Sequence, residues 1–430
     1  MMSGMSGIKK TLEDGAGFSW LHARMSVMSK QTLNISREDK EILRTIALKV
    51  KNLSELPIQE ERRNLWIAHH SLKQTKPLIV IDPEIAWYEI IPVDKLKCSG
   101  NLAKIWEFML LKEIIWQEDI QDDRVCQALI SVPHVFQQTG FGLETLDDYD
   151  DLSKLTYRQI EIDYSKTDKL FELAADTFDG ILEVRRESAW WYAFGLTKFA
   201  AILRGLENFY FDIYENPEEL HALMLFLSNE AMNRLDFLEN NNLLALNNGG
   251  EFVTSGGYGW CGELPSENYD PKHVKTQDMW GYSESQESIS LSPQTYGEFV
   301  LPYQLPLLSR FGLNAYGCCE PLDNRIDLIT DKVPNLRKVT VSPWSSADFM
   351  AEKLGKNYVY CLKMNPAYIA TEKIYEESIR AAAREAFNAT FKHGCPTEVL
   401  MRDVLTLAGD KNNAKIWVEI MQSEASRIFC

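Results

Sequence analysis

The feature that most constrains the fold is a series of short apolar runs that alternate with amphipathic helical patterns. Each run has the length and apolar content of a buried strand, and the segments between them carry helical periodicity. The runs lie at residues 77–84, 125–133, 180–185, 243–250, 313–321, 336–344, 358–366 and 397–407. Eight strand–helix units predict an α/β protein with a (β/α)8 TIM barrel. A doubly wound open sheet is the alternative, but the sequence contains neither a GxGxxG nor a GxxxxGK[ST] phosphate loop.

The chain ahead of the first predicted strand divides into a leader and a helical extension. Residues 1–30 mix serine, glycine and methionine without periodicity. From Ser36, a capping serine followed by Glu38 and Asp39 in the first turn predicts a helix, and residues 61–73 predict a second one. We therefore expect a flexible leader and helical extension over residues 1–75 and the barrel over residues 76–430.

The charge and cysteine content exclude several classes of protein. The chain carries 45 Lys and Arg against 62 Asp and Glu, a net charge of −17, whereas nucleic-acid binding requires a positive surface. Charged or amide side chains interrupt every long apolar stretch, so no membrane span is predicted. The eight cysteines follow no spacing typical of secreted disulfide frameworks. We expect a cytoplasmic protein with reduced thiols.

Strand alternation predicts which side chains face the barrel mouth, where the reacting groups of such barrels lie. In the fifth predicted strand, Tyr316, Cys318 and Glu320 share one parity and are expected to point inward. The sixth strand is expected to turn Trp344 inward, and the last strand to turn Asp403 inward near the rim. An acidic and aromatic pocket is the result.

Thiols and carboxylates near one mouth predict a metal site. Zn²⁺ accepts thiolate, imidazole and carboxylate ligands, and a catalytic zinc keeps one position open for substrate. The expected ligands are Cys318, Cys319 and Glu251, with Glu320 on the same strand face as Cys318. The alternative is that these cysteines are small buried residues that bind nothing.

Other polar residues are candidates for lesser roles. Asn247 ends the fourth predicted strand beside two glycines that would let the backbone approach a ligand. His134 follows the second strand and is a candidate ligand or general base, with a satisfied rim histidine as the alternative. The pair His69 and His70 lies in a helix ahead of the barrel and is interpreted as structural.

Two segments, SPQTYGEFVLPYQLPLLSRFGLNAYGCCEP and KLGKNYVYCLKMNP, resemble the uroporphyrinogen decarboxylase superfamily. The resemblance covers the chain from about Leu170 onward. The Arg-Gln-Ala-Gly-Arg motif of true uroporphyrinogen decarboxylases does not occur, so the chain is more similar to the corrinoid-dependent methyltransferase branch. That branch binds zinc through His-x-Cys on the fifth strand and a distant Cys on the last. Here Tyr316 stands at the histidine position, Cys318 matches the cysteine, and Asp403 or its neighbours stand in place of the third ligand.

The resemblance implies transfer of a methyl group from a small methylated substrate, such as a methoxylated aromatic, to a corrinoid carried on a partner protein. For this chemistry, strand parity makes Tyr316, Glu320 and Asp403 the expected catalytic residues, and Asn247, Trp344 and His134 are the expected substrate-binding residues. Two alternatives stay open: a decarboxylase of a small acid, with Arg185 or Arg402 holding the carboxylate, and a barrel that binds a small molecule without catalysis.

Overall fold

Helices and parallel strands alternate through most of the chain. The computed structural model describes residues 33–188, 193–253, 255 and 257–429, and the predicted leader lies outside them. The helices are α1 Arg37–Ser54, α2 Pro57–His70, α3 Trp87–Ile90, α4 Asn101–Ile115, α5 Tyr164–Phe178, α6 Leu196–Arg204, α7 Leu206–Glu215, α8 Pro217–Asn240, α9 Pro293–Phe299, α10 Leu301–Leu308, α11 Ile326–Lys332, α12 Ala347–Leu354, α13 Glu376–His393 and α14 Asn412–Phe429. None of the described helices is both long and apolar enough to cross a membrane.

The strands form one large and two small sheets. They are β1 Leu78–Ile81, β2 Leu129–Val132, β3 Phe136–Gln138, β4 Ile160–Ile162, β5 Glu183–Arg186, β6 Trp280–Ser283, β7 Leu313–Tyr316, β8 Leu336–Val341, β9 Val359–Lys363 and β10 Thr397–Met401. The six-stranded sheet has the order β1-β10-β9-β8-β7-β6, and every neighbouring pair in it is parallel. Strands β2 and β5 form a separate parallel pair, and β3 and β4 an antiparallel one. The prediction of an α/β protein with a parallel sheet behind N-terminal helices is confirmed.

The first described helix begins as its sequence predicts. The Ser36 hydroxyl accepts a hydrogen bond of 3.0 Å from the Asp39 backbone N–H. The Asp39 carboxylate in turn accepts hydrogen bonds from the backbone of Ser99 and Gly100. The cap therefore also fixes α1 against the start of α4.

One predicted strand is wrong, and three observed strands, β3, β4 and β6, lie outside the predicted runs. Residues 243–248 form no strand, and β6 takes a place in the sheet instead. The reason lies in Asn247, whose side-chain amide accepts from the Trp280 backbone N–H and donates to the Trp280 carbonyl, at 2.9 and 3.0 Å. On the other side, the Ser188 hydroxyl bonds both backbone groups of Ala245. Side chains thus replace the backbone ladder along this segment.

The two faces of the main sheet are both buried. One face packs on the helices and includes Ile79, Val339 and Met401. The opposite face forms a smaller interior cluster with Trp66 of α2 and Tyr258, and its strand members are Leu78, Val80, Cys361 and Leu400. Burial on both sides explains why these strands are continuously apolar in sequence.

Candidate functional site

The carboxyl ends of β7, β9 and β10 bring a thiol pair, a lysine and an aspartate together. Because the strands are parallel, their carboxyl ends meet at one edge of the sheet. Cys318 and Cys319 follow β7, Lys363 ends β9, and Asp403 follows β10. These four residues, together with Ser255, are called the thiol–lysine cluster below.

The Lys363 ammonium lies at the centre of the thiol–lysine cluster and is almost completely buried. Its Nζ is 2.6 Å from Asp403 Oδ2, 2.7 Å from Ser255 Oγ and 3.0 Å from Cys319 Sγ. Cys318 Sγ is farther away, at 3.5 Å, and 3.1 Å from Ser255 Oγ. A buried positive charge is thereby shared among one carboxylate, one hydroxyl and two sulfur atoms.

The two thiols differ in their readiness to ionise. The pKa of Cys319 is lowered, because the Cys318 thiol can hydrogen-bond to the Cys319 sulfur and the Lys363 ammonium attracts the negative charge. The pKa of Cys318 is raised by that same thiol–thiol contact and by burial. Burial alone would lower the pKa of Lys363, but the neighbouring sulfurs and Asp403 raise it, so the lysine stays charged. The arrangement favours a thiolate at Cys319 held by an ammonium.

A buried carboxyl lies directly beneath the thiols. Glu320 accepts hydrogen bonds from the backbone N–H groups of Ser285 and Cys318, at 3.0 and 2.9 Å. Burial raises its pKa to about 7, and the negative charge of an ionised Cys318 would add to the rise. Burial likewise raises the pKa of Glu284, and the neighbouring Glu320 charge raises it further. Such a pair can hold a proton at neutral pH, as a general acid must.

Tyr316 lies elsewhere than predicted. Its hydroxyl is 2.6 Å from the hydroxyl of Tyr296 on α9 and 2.6 Å from the side-chain oxygen of Gln304 on α10. The prediction that it points into the mouth is therefore wrong, because the alternation of β7 is opposite to the one assumed. Cys318 reaches the mouth nevertheless, since Gly317 adopts a positive φ of 96° that breaks the alternation.

Asp403 also reaches the site by a break in alternation. Within β10 the interior-facing residues are Glu398 and Leu400, whereas Val399 and Met401 pack on the helices, opposite to the assumed parity. Asp403 has a φ of 60°, which turns its carboxylate toward Lys363.

Three predicted substrate-binding residues are not gathered around the thiols. Trp344 is 69% exposed at the surface. Asn247 is engaged by the Trp280 backbone. His134 is buried between β2 and β3. Burial, together with the nearby Arg186 charge, lowers the pKa of His134 to about 4.

The three expected zinc ligands do not form a ligand group in the described part of the chain. The Glu251 carboxylate accepts from the Gly249 N–H within its own loop, 3.1 Å away. Cys318 and Cys319 have the Lys363 ammonium between themselves and Asp403, and its positive charge opposes a cation there. Arg185 and Arg402, the candidate carboxylate-binding residues, are paired with Glu183 and Glu84.

A different group of side chains could bind a metal. His69 and His70, at the end of α2, meet Glu398 of β10, and one ligand atom from each lies within 4.8 Å of the others. All three side chains are inaccessible to solvent. Glu398 lies two residues before Leu400, the register partner of Lys363, so this cluster sits toward the amino ends of the strands, below the thiols. The sequence interpretation of the two histidines as purely structural overlooked this convergence, which depends on how α2 packs.

The signal for Lys363 was present in the sequence. Cys361 and Lys363 share one parity in YVYCLKMNP, and a lysine within a buried strand demands a partner. Ser255 had no such signal, since it belongs to none of the described helices or strands.

The comparisons with known proteins give structural likenesses but no sequence match. No protein-family profile and no curated protein sequence matches the chain. Among solved structures, a methyltransferase from Methanosarcina mazei is similar with a TM-score of 0.44 and 9% sequence identity, over 86% of this chain and 99% of that chain. This likeness is too distant to bear on activity.

Proposed function

We propose that the protein is a methyltransferase that removes a methyl group from a heteroatom of a small substrate at the carboxyl ends of the strands. The acceptor would be a corrinoid carried on a partner protein, as the sequence resemblance implies. The observation that carries the proposal is the thiol–lysine cluster, in which the Lys363 ammonium contacts the two thiols after β7. Cys318 is the residue that matches the zinc thiolate of the resembling methyltransferases. In this proposal the fixed positive charge of Lys363 takes the role that a metal has in those enzymes.

Demethylation requires that the heteroatom keep the electron pair of the bond to carbon. As the carbon–heteroatom bond breaks, negative charge develops on oxygen, nitrogen or sulfur, and a nearby positive charge stabilises it. Lys363 supplies that charge, and Asp403 and Ser255 hold its ammonium in place. A reduced corrinoid, when bound on its partner, supplies the electron pair for the new bond to the methyl carbon.

The leaving heteroatom also needs a proton. Glu320 is the proposed donor, because burial raises its pKa to about 7 and its carboxyl is anchored by two backbone N–H groups. A general acid with a pKa near the working pH transfers protons most effectively. Glu284 beside it can replenish the proton.

Exposed apolar side chains near the mouth support a docking partner. Trp344 follows β8 and is 69% exposed, and Leu405 follows β10 and is 67% exposed. Contiguous apolar patches mark protein contact sites, and a docked partner would bury these two side chains together. The partner would cover these residues and present its corrinoid to the cluster.

We further infer that the eight parallel strands belong to one barrel of the uroporphyrinogen decarboxylase type over residues 76–430. The Asp123 N–H donates to the Ile79 carbonyl at 2.8 Å, which ties the segment before β2 to β1. Ser188 and Asn247 link β5 to β6 through residues 245–247. These contacts connect β1 to β2 and β5 to β6, and they support a closed ring of eight strands.

The test is methyl transfer to free reduced cobalamin. The purified chain is incubated with cob(I)alamin and a panel of methoxylated aromatics, methylamines and methyl thioethers, and methylcobalamin is followed by its absorption spectrum. We expect transfer from at least one donor and a loss of about 100-fold or more in Lys363→Met, the size of a lost charge-stabilising contact. Lys353→Met, which removes an exposed lysine paired with Asp327, is the matched control.

The outcomes separate the proposal from its alternatives. Donor binding detected by calorimetry without any methyl transfer would identify a non-catalytic binder. Release of CO₂ from small acids would identify a decarboxylase. Transfer that survives Lys363→Met undiminished would remove the thiol–lysine cluster from the mechanism.

A further inference from the structure

The buried cluster of His69, His70 and Glu398 contains polar atoms that no hydrogen bond explains. Both ring nitrogens of His69, Nε2 of His70 and Oε2 of Glu398 lack a hydrogen-bond partner within the described residues, whereas Oε1 of Glu398 is ion-paired with Lys338. The two Nε2 atoms lie 3.3 Å from Glu398 Oε2, but not in a hydrogen-bonding direction. Buried polar groups without partners are costly, so something else must satisfy these atoms.

The tautomer of His70 leaves a lone pair aimed at the carboxylate. Its Nδ1 lies 2.5 Å from the carbonyl oxygen of Trp260, and a carbonyl can only accept. Nδ1 therefore carries the proton. In a neutral ring with the proton on Nδ1, Nε2 has a free lone pair, and this lone pair faces an acceptor oxygen.

We propose that His69 Nε2, His70 Nε2 and Glu398 Oε2 bind a divalent ion, most naturally Zn²⁺, at a structural site that ties α2 to the main sheet. The distances fit. Ligand atoms about 2.0–2.1 Å from zinc at tetrahedral angles lie about 3.3 Å apart. Both imidazole–carboxylate distances are 3.3 Å.

The surroundings of His70 are those of a metal-bound imidazole. A ligating histidine usually donates its other ring N–H to a carbonyl or carboxylate, which fixes the tautomer. The Trp260 carbonyl has that role here. Trp66 stacks on the same ring at 5.6 Å, so its orientation is constrained on both sides.

Lys338 is the group that opposes an ion. Its Nζ is 2.9 Å from Glu398 Oε1 and 3.1 Å from the Tyr258 carbonyl oxygen. The lysine takes one carboxylate oxygen and leaves the other to the ion. Its charge must weaken metal binding, so removal of the charge should strengthen it.

The site is independent of the proposed methyl transfer, since its residues lie below the thiol–lysine cluster and toward the opposite ends of the strands. Its proposed ligand atoms are nitrogen and oxygen, and the buried Cys361 thiol beside Glu398 is not among them, whereas a zinc bound at the mouth would be held by Cys318 or Cys319. The coordination of zinc by sulfur or by nitrogen and oxygen therefore separates the two locations.

The experiment measures zinc content and its ligands in the full chain. After loading with zinc and removal of excess, elemental analysis should give one zinc per chain. X-ray absorption should show nitrogen and oxygen neighbours, with an imidazole signature and no sulfur. His70→Asn should lose the zinc, His221→Asn on α8 should retain it, and Lys338→Met should hold it at least tenfold more tightly against a chelator.

Two results would overturn the proposal, and neither depends on whether a variant folds. One is a wild-type chain that binds no zinc after loading. The other is sulfur in the zinc coordination shell. Failure of methyl transfer leaves both measurements unaffected, so the two proposals fail separately.

Discussion

Replacing Lys363 with methionine removes one buried charge from the thiol–lysine cluster while keeping the length of the side chain. The Cys319 sulfur lies 3.0 Å from Lys363 Nζ. At this distance, a thiolate and the ammonium attract each other by about 5.5 kcal/mol at an effective dielectric constant of about 20. Asp403 Oδ2 lies 3.7 Å from the same sulfur and repels a thiolate by about 4.5 kcal/mol on the same basis. The Asp403 side chain is 48% exposed, so solvent reduces this repulsion.

Lys363→Met and Asp403→Asn should therefore shift the pKa of Cys319, and with it the rate of alkylation, in opposite directions. Lys363→Met leaves the repulsion without the attraction, so the pKa of Cys319 rises and its alkylation at pH 7 should slow at least tenfold. Asp403→Asn removes the repulsion and should accelerate alkylation. The assay is the rate of iodoacetamide labelling of Cys319, resolved from the other thiols by peptide mass spectrometry.

Lys353→Met serves as the control, because this lysine is paired at the surface with Asp327, away from the thiols. Its labelling rate should equal that of the wild type. Unchanged labelling in Lys363→Met, or slower labelling in Asp403→Asn, would refute the electrostatic reasoning.

Three further predictions concern the acid, the interior cluster and the bridge to β6. Burial raises the pKa of Glu320 to about 7, so its carboxyl loses its proton as the pH rises through that value; methyl transfer should fall over the same range, and Glu320→Gln should remove this dependence. Leu400→Ala should lower the free energy of unfolding in urea by about 2–5 kcal/mol because it opens a cavity, whereas Leu405→Ala, at an exposed position, should change it by about 0.5 kcal/mol or less. Asn247→Ala leaves two buried backbone groups of β6 unpaired and should cost about 1–3 kcal/mol in the same assay; Asn241→Ala, at an exposed helix end, should cost less.

Much of the fold follows from apolar periodicity, and the exception is instructive. Seven of the predicted strand runs contain an observed parallel strand. The run at residues 243–250 does not, since Asn247 uses its side chain for the contacts that a strand backbone would make. β6 reads WGYS, which is short and contains a glycine and a serine, so local propensity does not reveal it.

The sequence predicts part of the candidate site. Cys318 and Asp403 lie at the mouth as predicted, but the strand alternation used to place them there is not the reason. The predicted alternation of β7 and β10 is opposite to the observed one, so the predicted position of Tyr316 is wrong. Cys318 and Asp403 still meet at Lys363, because a residue with positive φ follows each strand. The buried ligand group of His69, His70 and Glu398 depends on a contact between α2 and β10. These elements are far apart in sequence, so a local sequence pattern cannot predict that they meet.

The left-handed residues after β7 and β10 have an evolutionary consequence. Gly317 and Asp403 lie beyond the last residues of β7 and β10. The direction of the side chains in and after these turns is therefore independent of the alternation of side chains within the strands. A substitution at Cys318, Cys319 or Asp403 can therefore change the reacting groups while the strand cores keep their packing. Descendants of such a chain can acquire new substrates by drift at these turns, with selection for a stable sheet acting on other positions.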